Sequence, residues 1–88
     1  MDVVIKANRD ALGPLADTFG TRAMREAERL EEPDAEGWQR LRLAIDWPEE
    51  AASRLLGLAP YVELLEPPAL RSEILALANG AVERYSAP

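Results

Sequence analysis

The stretch from Trp38 to Ile45 alternates between apolar and polar side chains along its whole length. Successive side chains of a strand point to opposite faces of a sheet, so this pattern predicts a strand with one buried and one polar face. The predicted core face carries Gln39, Leu41, Leu43 and Ile45, and the other face carries Trp38, Arg40, Arg42, Ala44 and Asp46. This strand fixes the register of any fold built around it.

Two further segments before the alternating strand have clear signatures. Residues Met1–Lys6 are rich in valine and isoleucine, which suits a buried central strand. Residues Ala11–Phe19 fit a short helix that Asn8 or Asp10 is placed to cap and that Gly20 ends.

Three elements are predicted after the alternating strand. A short helix follows Asp46, whose side chain is placed to cap it, and ends at Gly57. An apolar strand covers Tyr61–Glu66, and a final helix runs from Pro68 to about Tyr85.

The segment Thr21–Leu30 is ambiguous. Its alanines, arginines and glutamates favour a helix by intrinsic propensity. However, Glu31–Gly37 is a turn that leads directly into the Trp38 strand, and sheet edges are often charged to discourage aggregation. We therefore predict a charged edge strand here, which the family resemblance described below also favours.

The element order β-α-β-β-α-β-α predicts an α+β fold. Two right-handed crossovers of this kind interleave into a ferredoxin-like β-α-β-β-α-β sheet with helices on one face, here with an additional C-terminal helix. A chain of 88 residues supports one core, so we expect a single domain over residues 1–88. The predicted core consists of Val3, Ile5, Leu15, Phe19, Leu41, Leu43, Ile45, Leu55 and Leu64.

The chemical inventory argues against catalysis. The chain has no His and no Cys, which removes the commonest general bases, thiol nucleophiles and zinc ligands. No phosphate-binding glycine motif is present. We therefore expect that the protein is not an enzyme and that it has no catalytic residue, metal or cofactor.

Charge and hydropathy limit the partners. A net charge of −6 disfavours binding of duplex DNA, which depends on many basic contacts to phosphate. No apolar run is long enough to cross a membrane, and the N-terminus lacks the features of a signal peptide. We expect a cytoplasmic protein that does not bind membranes.

One group of side chains suits a ligand. Trp38, Arg40 and Arg42 share the polar face of the alternating strand, and Arg22 or Arg25 joins them if the neighbouring segment is a strand. An aromatic ring beside guanidinium groups can stack on a base and pair with phosphate, which predicts a nucleotide or single-stranded nucleic acid as the effector. The alternative is that Trp38 packs under the last helix and the arginines pair with nearby glutamates.

The final helix carries an apolar stripe that needs a partner surface. That stripe can lie on the sheet, on the flank of the domain or against a second chain. The interface candidates are Leu70, Ile74, Leu77, Val82 and Tyr85.

The segment from Gly37 to Arg71, GWQRLRLAIDWPEEAASRLLGLAPYVELLEPPALR, resembles the C-terminal extension (WCX) of bacterial WYL-domain transcription regulators. A G-W-x-R-L-R-L-like strand, a W-L-L-G-L-G-like helix end and an E-V-L-E-P-x-x-L-R-like step occur there in the same order. The chain departs from that pattern at Ala59 and Pro60, where relatives tend to have glycine.

The resemblance implies a regulatory module. In that family, a helix-turn-helix binds DNA, a WYL domain senses an effector, and the extension serves dimerisation and the effector response. This chain has neither a helix-turn-helix nor a Trp-Tyr-Leu tripeptide, so we expect self-association, or contact with the WYL domain of the same protein, without duplex binding. The alternative is a free-standing ferredoxin-like domain that binds a small molecule or nucleotide.

Overall fold

A four-stranded antiparallel sheet forms one layer of the molecule, and helices pack on one of its faces. The computed structural model describes residues 1–87, apart from the side chain of Leu12, so Pro88 of the predicted domain lies outside the described residues. The strands are β1 (Asp2–Asn8), β2 (Glu28–Arg29), β3 (Trp38–Ala44) and β4 (Val62–Glu66). The helices are α1 (Leu12–Phe19), α2 (Thr21–Glu26), α3 (Ala51–Leu56) and α4 (Pro68–Ser86). Short 3₁₀ turns, Arg9–Ala11 and Pro48–Glu50, precede α1 and α3.

The strands lie in the order β2-β3-β1-β4, with every neighbouring pair antiparallel. The valine-rich first strand is central, as predicted. Ile5 of β1 lies opposite Leu41 of β3 on one side and Leu64 of β4 on the other. These apolar cross-strand neighbours share the face on which the helices pack. The prediction of an α+β fold with an antiparallel sheet is confirmed.

The predicted core is also confirmed. Every residue named for it is buried: Val3, Ile5, Leu15, Phe19, Leu41, Leu43, Ile45, Leu55 and Leu64. Full burial of one such side chain stabilises the fold by about 1.5–3 kcal/mol relative to exposure. The alternation of β3 buries Leu41 and Leu43, and Ile45, immediately after the strand, continues the same face.

The opposite face of the sheet is charged. Arg40 and Arg42 are exposed there, as the alternation predicts. Lys6 of β1 lies opposite Arg40, and Glu63 of β4 lies opposite Lys6. Val4, which lies opposite Arg42, is the buried apolar residue in this charged surface.

The prediction of an edge strand over Thr21–Leu30 is wrong for most of its length. Residues Thr21–Glu26 form α2, and only Glu28–Arg29 pair with β3. The helical propensity of this segment prevails because Ala23 and Met24 pack partly against the core. Ala27 has an extended backbone that ends the helix and starts the strand.

The helix ends follow the predictions better than the helix starts. Gly20 and Gly57 end α1 and α3 as predicted, and Gly20 has a φ of 90°. Within the described residues, neither Asp10 nor Asp46 caps a helix, and the N-cap positions are Ala11 and, for the 3₁₀ turn before α3, Trp47. Asn8 does cap the 3₁₀ turn Arg9–Ala11 that leads into α1, because its side-chain oxygen accepts the backbone N–H of Asp10 at 3.0 Å. The capping predictions for Asp10 and Asp46 are therefore wrong, and the one for Asn8 is confirmed at the 3₁₀ turn that leads into α1.

The last helix packs on the rest of the molecule mainly through α3 and β4. It has the predicted bounds, with Pro68 in its first turn, where a missing N–H costs no hydrogen bond. Leu70 is buried and Ile74 packs partly against the core. None of the helices in residues 1–87 is long and apolar enough to cross a membrane.

Candidate functional site

The structure divides the predicted ligand residues between two places. Trp38, Arg40 and Arg42 alternate along β3 as predicted, but Arg22 lies on α2 and not on a neighbouring strand. Trp38 and Arg42 lie about 13 Å apart at the usual strand rise of ~3.3 Å per residue. Trp38 is half-buried and lies opposite Asn8 at the end of β1.

Each of these arginines pairs with a carboxylate. Arg42 Nη1 lies 2.9 Å from Glu28 Oε2, and Arg40 Nε lies 3.1 Å from Glu31 Oε1. Arg22 pairs with Glu26 one turn along α2. The arginines thus pair with nearby glutamates, which is the alternative that the sequence analysis left open. Exposed ion pairs contribute only about 0–1 kcal/mol each, so an anionic ligand can displace them at small cost.

A cleft of about 630 Å³ brings Arg22 and Arg42 together at one end of the sheet. Beyond Arg42, β2 no longer covers the edge of β3, and α2 forms the other wall of the cleft. Phe19 and Trp47 also line it, with ring centroids 5.4 Å apart. The volume lies in the range of about 300–1,000 Å³ that is typical of small-molecule sites.

Trp47 is held in position by two contacts, one with Phe19 and one with Arg54. The guanidinium carbon of Arg54 lies 4.7 Å from the Trp47 ring centroid, and Arg54 also pairs with Glu50. A cation over an indole ring is favourable because the ring face is electron-rich. The cleft therefore combines a fixed aromatic surface with ion pairs at its rim, and it can accommodate a planar group that carries polar substituents.

Sequence reasoning did not assign Trp47 to a site, and it assigned Phe19 only to the core. Phe19 ends α1 immediately before Gly20, and Trp47 lies between β3 and the next 3₁₀ turn, immediately before Pro48. Each aromatic residue thus precedes a helix breaker in the sequence, but this local feature does not indicate that the two side chains meet in one cleft.

The turn that precedes β3 is organised by Asp34. One of its carboxylate oxygens accepts the backbone N–H groups of Trp38 and Glu36, both at 2.9 Å. The hydrogen bond from Trp38 is the main cause that lowers the pKa of Asp34. Gly37 has a φ of 88°, and a Cβ there would lie 2.8 Å from the side chain of Arg9. The position of Trp38 thus depends on this aspartate and this glycine.

The predicted interface residues of α4 fall into two groups. Leu70 is only 5% exposed and belongs to the core of its own chain, so it is not available to a partner. Ile74 is partly buried against the same core. In contrast, Leu77, Val82 and Tyr85 are 45%, 62% and 90% exposed. The solvent-exposed part of the stripe therefore occupies the distal half of the helix.

Comparison with known proteins gives one result. No curated protein matches the chain. A family model described as the WCX domain matches residues 1–82, which include the sheet and most of α4. The match covers the segment from Gly37 to Arg71, whose motifs carry the sequence resemblance. The chain belongs to the WCX domain family.

Proposed function

We propose that the chain is the regulatory and dimerisation module of a bacterial transcription regulator of the WYL type. Membership of the WCX family supports this proposal, because its sequence motifs resemble those of the C-terminal extension of such regulators. In this role the domain passes an effector signal to the rest of the regulator and holds two copies together.

The observation that carries the dimerisation proposal is the uncovered distal half of α4. Leu77, Val82 and Tyr85 are exposed on a helix whose proximal residues Leu70 and Ile74 pack on the core. Apolar side chains that gather on one exposed surface mark sites of protein association. If Leu77 and Val82 were buried against a second chain, each side chain would stabilise the dimer by up to about 1.5–3 kcal/mol.

The charged face of the sheet is a weaker candidate for self-association. Arg42, Arg40 and Lys6 lie on it together with Glu28 and Glu63. Taking charges out of water costs free energy that two identical faces do not recover readily. We assign this face to contact with the WYL domain of the same regulator and assign the dimer contact to α4.

Sedimentation equilibrium over a hundredfold range of protein concentration tests the dimer. The average mass of the natural chain should rise with concentration, and Leu77→Glu and Val82→Glu should each keep the monomer mass with an unchanged circular dichroism spectrum. Ala76→Glu is the matched control, because it adds the same charge about 200° around the helix from Ile74. A constant monomer mass for the natural chain would refute the proposal.

A free-standing ligand-binding domain is the second candidate, and the Phe19–Trp47 cleft favours it. We propose a nucleotide or a short single-stranded nucleic acid as the ligand, since a stacking surface and guanidinium groups meet there. Titration of tryptophan fluorescence with a mononucleotide and with a short single-stranded oligonucleotide tests this. Arg42→Gln and Trp47→Phe should weaken binding, and Trp38→Phe should not.

The gene context separates the two candidates. A helix-turn-helix and a WYL segment encoded upstream in the same reading frame would support the regulator. Ligand binding by a chain without such segments would support the free-standing domain.

We further propose that the domain alone does no catalysis and does not bind duplex DNA. The net charge of −6 opposes contact with a polyanion. Fluorescence anisotropy with a random duplex at physiological salt is the test, and submicromolar binding would contradict the proposal.

The fold proposed for this module is the ferredoxin-like arrangement. The strand order β2-β3-β1-β4 supports it, since β1 and β2 are parallel to each other and flank β3. The helices α1 and α2 connect β1 to β2, and α3 connects β3 to β4.

A further inference from the structure

Arg25 and Arg29 lack a carboxylate partner among residues 1–87, although glutamates surround them in the sequence. Three of those glutamates form ion pairs with other arginines. Glu26 pairs with Arg22, Glu28 pairs with Arg42 and Glu31 pairs with Arg40. The region of α2 and β2 is thus left with two unneutralised guanidinium groups.

Both of these side chains line one cavity of about 310 Å³. The cavity lies between the C-terminal half of α2 and the strands β2 and β3, and Met24, Ala27, Gln39 and Leu41 complete its lining. Leu41 is buried, and Met24 and Ala27 pack partly against the core. The cavity therefore combines an apolar wall with two positive groups.

The remaining polar side chain of the lining is fixed. Gln39 Nε2 donates to the carbonyl oxygen of Glu31 at 2.7 Å. This hydrogen bond holds the amide beside the cavity and leaves the guanidinium groups as its cationic donors.

Local structure accounts for the unpaired positive charge of Arg25 but not for that of Arg29. Arg25 lies in the last turn of α2, where a cation interacts favourably with the helix dipole. Arg29 lies on β2 opposite Leu41, so the helix does not account for it. Two like charges that face one cavity repel each other, and an anion between them removes that repulsion. The planar donor fork of arginine fits a carboxylate or a phosphate group.

We propose that this cavity binds a small amphipathic molecule with one carboxylate or phosphate group. Arg25 and Arg29 hold the anionic group, and Met24 and Leu41 contact the apolar part. The volume lies at the lower end of the usual range of about 300–1,000 Å³, which suits a small molecule. The site is separate from the Phe19–Trp47 cleft, and it does not depend on the proposed role in transcription regulation.

Nuclear magnetic resonance titration of the ¹⁵N-labelled chain tests the site. The probes are phenyl phosphate, benzoate and, as the neutral control, benzyl alcohol. Both anions should cause saturable shifts at the amides of Met24, Arg25, Arg29 and Gln39, with dissociation constants on the order of 1 mM for ligands of this size. Tighter binding of phenyl phosphate assigns a phosphoryl ligand, and tighter binding of benzoate assigns a carboxylate.

Variants make the test specific. Arg25→Gln and Arg29→Gln should each weaken binding of the preferred anion about tenfold, through loss of a charge-assisted hydrogen bond. Arg84→Gln removes the same charge from the distal part of α4 and should leave the affinity unchanged. The proposal is overturned by three outcomes: no saturable shift with either anion, equal affinity for benzyl alcohol, or undiminished binding by the folded double variant.

Discussion

Arg42 Nη1 lies 2.9 Å from Glu28 Oε2, and this ion pair joins directly opposed residues of β3 and β2. The strand β2 has only two residues, Glu28 and Arg29, so few side chains bind it to the sheet. The pair also closes one side of the Phe19–Trp47 cleft.

The Arg42–Glu28 pair should contribute little to stability. Both side chains are about half exposed. Exposed ion pairs typically contribute about 0.2–1 kcal/mol to stability in double-mutant cycles. A cycle with Arg42→Gln and Glu28→Gln, measured by urea unfolding, should give a coupling free energy in that range. The matched cycle is Arg22→Gln with Glu26→Gln on α2, which also pairs exposed groups. A coupling of several kcal/mol at Arg42–Glu28 would show that the pair is shielded from water.

The core was predictable because burial acts through a period that the sequence displays. Leu41, Leu43 and Ile45 alternate with exposed side chains, and all three are buried. The same alternation placed Arg40 and Arg42 on the opposite face.

The segment Thr21–Leu30 was not predictable in the same way, because helix and strand compete there over a few residues. Its outcome depends on Met24 and Ala23, which reach the core only in the folded chain. Since Arg22 thereby lies on a helix, the Phe19–Trp47 cleft is a tertiary feature. No local pattern brings Trp47, Phe19 and Arg22 together.

Leu15 should be among the most costly residues to truncate. It lies on α1 and is fully buried in the core. Truncation of a buried leucine usually lowers the free energy of unfolding by about 2–5 kcal/mol. Leu15→Ala should therefore lower the free energy of unfolding in urea by that amount. Leu77→Ala, at a protein concentration low enough to keep the chain monomeric, should change it by less than about 0.5 kcal/mol. Equal losses for the two variants would contradict the assignment of Leu77 to an exposed surface.

Gly80 should be replaceable by alanine with a gain in stability. It lies inside α4, and apart from the neighbouring backbone of that helix no atom of the described residues lies within 4 Å of the position of an added Cβ. Within the described residues, Gly80 therefore packs closely against no other element. Gly80→Ala should raise the free energy of unfolding by about 0.5–1 kcal/mol, because alanine loses less backbone entropy in a helix.

The measurement also bears on the proposed dimer. If Gly80→Ala stabilises the monomer and weakens self-association, Gly80 lies at the contact between the two copies. Ala76→Gly on the same helix is the reverse control and should destabilise the monomer by a similar amount.

Asp34 should make the stability of the fold depend on pH in the acid range. Its carboxylate accepts backbone N–H groups from Trp38 and Glu36, and these hydrogen bonds lower its pKa below the usual 3.8. A group with a lowered pKa in the folded state stabilises the fold above its unfolded pKa, and this contribution is lost as the pH falls through the folded pKa. The stabilisation by Asp34 is therefore present at neutral pH and declines below about pH 4.

Asp34→Asn tests this prediction, because asparagine keeps an acceptor oxygen but cannot ionise. Thermal unfolding from about pH 3 to pH 7 should show the natural chain more stable than the variant at neutral pH, with the difference shrinking as the pH falls. Asp17→Asn, at an exposed aspartate of α1, controls for the general loss of one negative charge. A difference between the natural chain and Asp34→Asn that stays constant across this range would show that Asp34 organises the turn before Trp38 without any contribution from its charge.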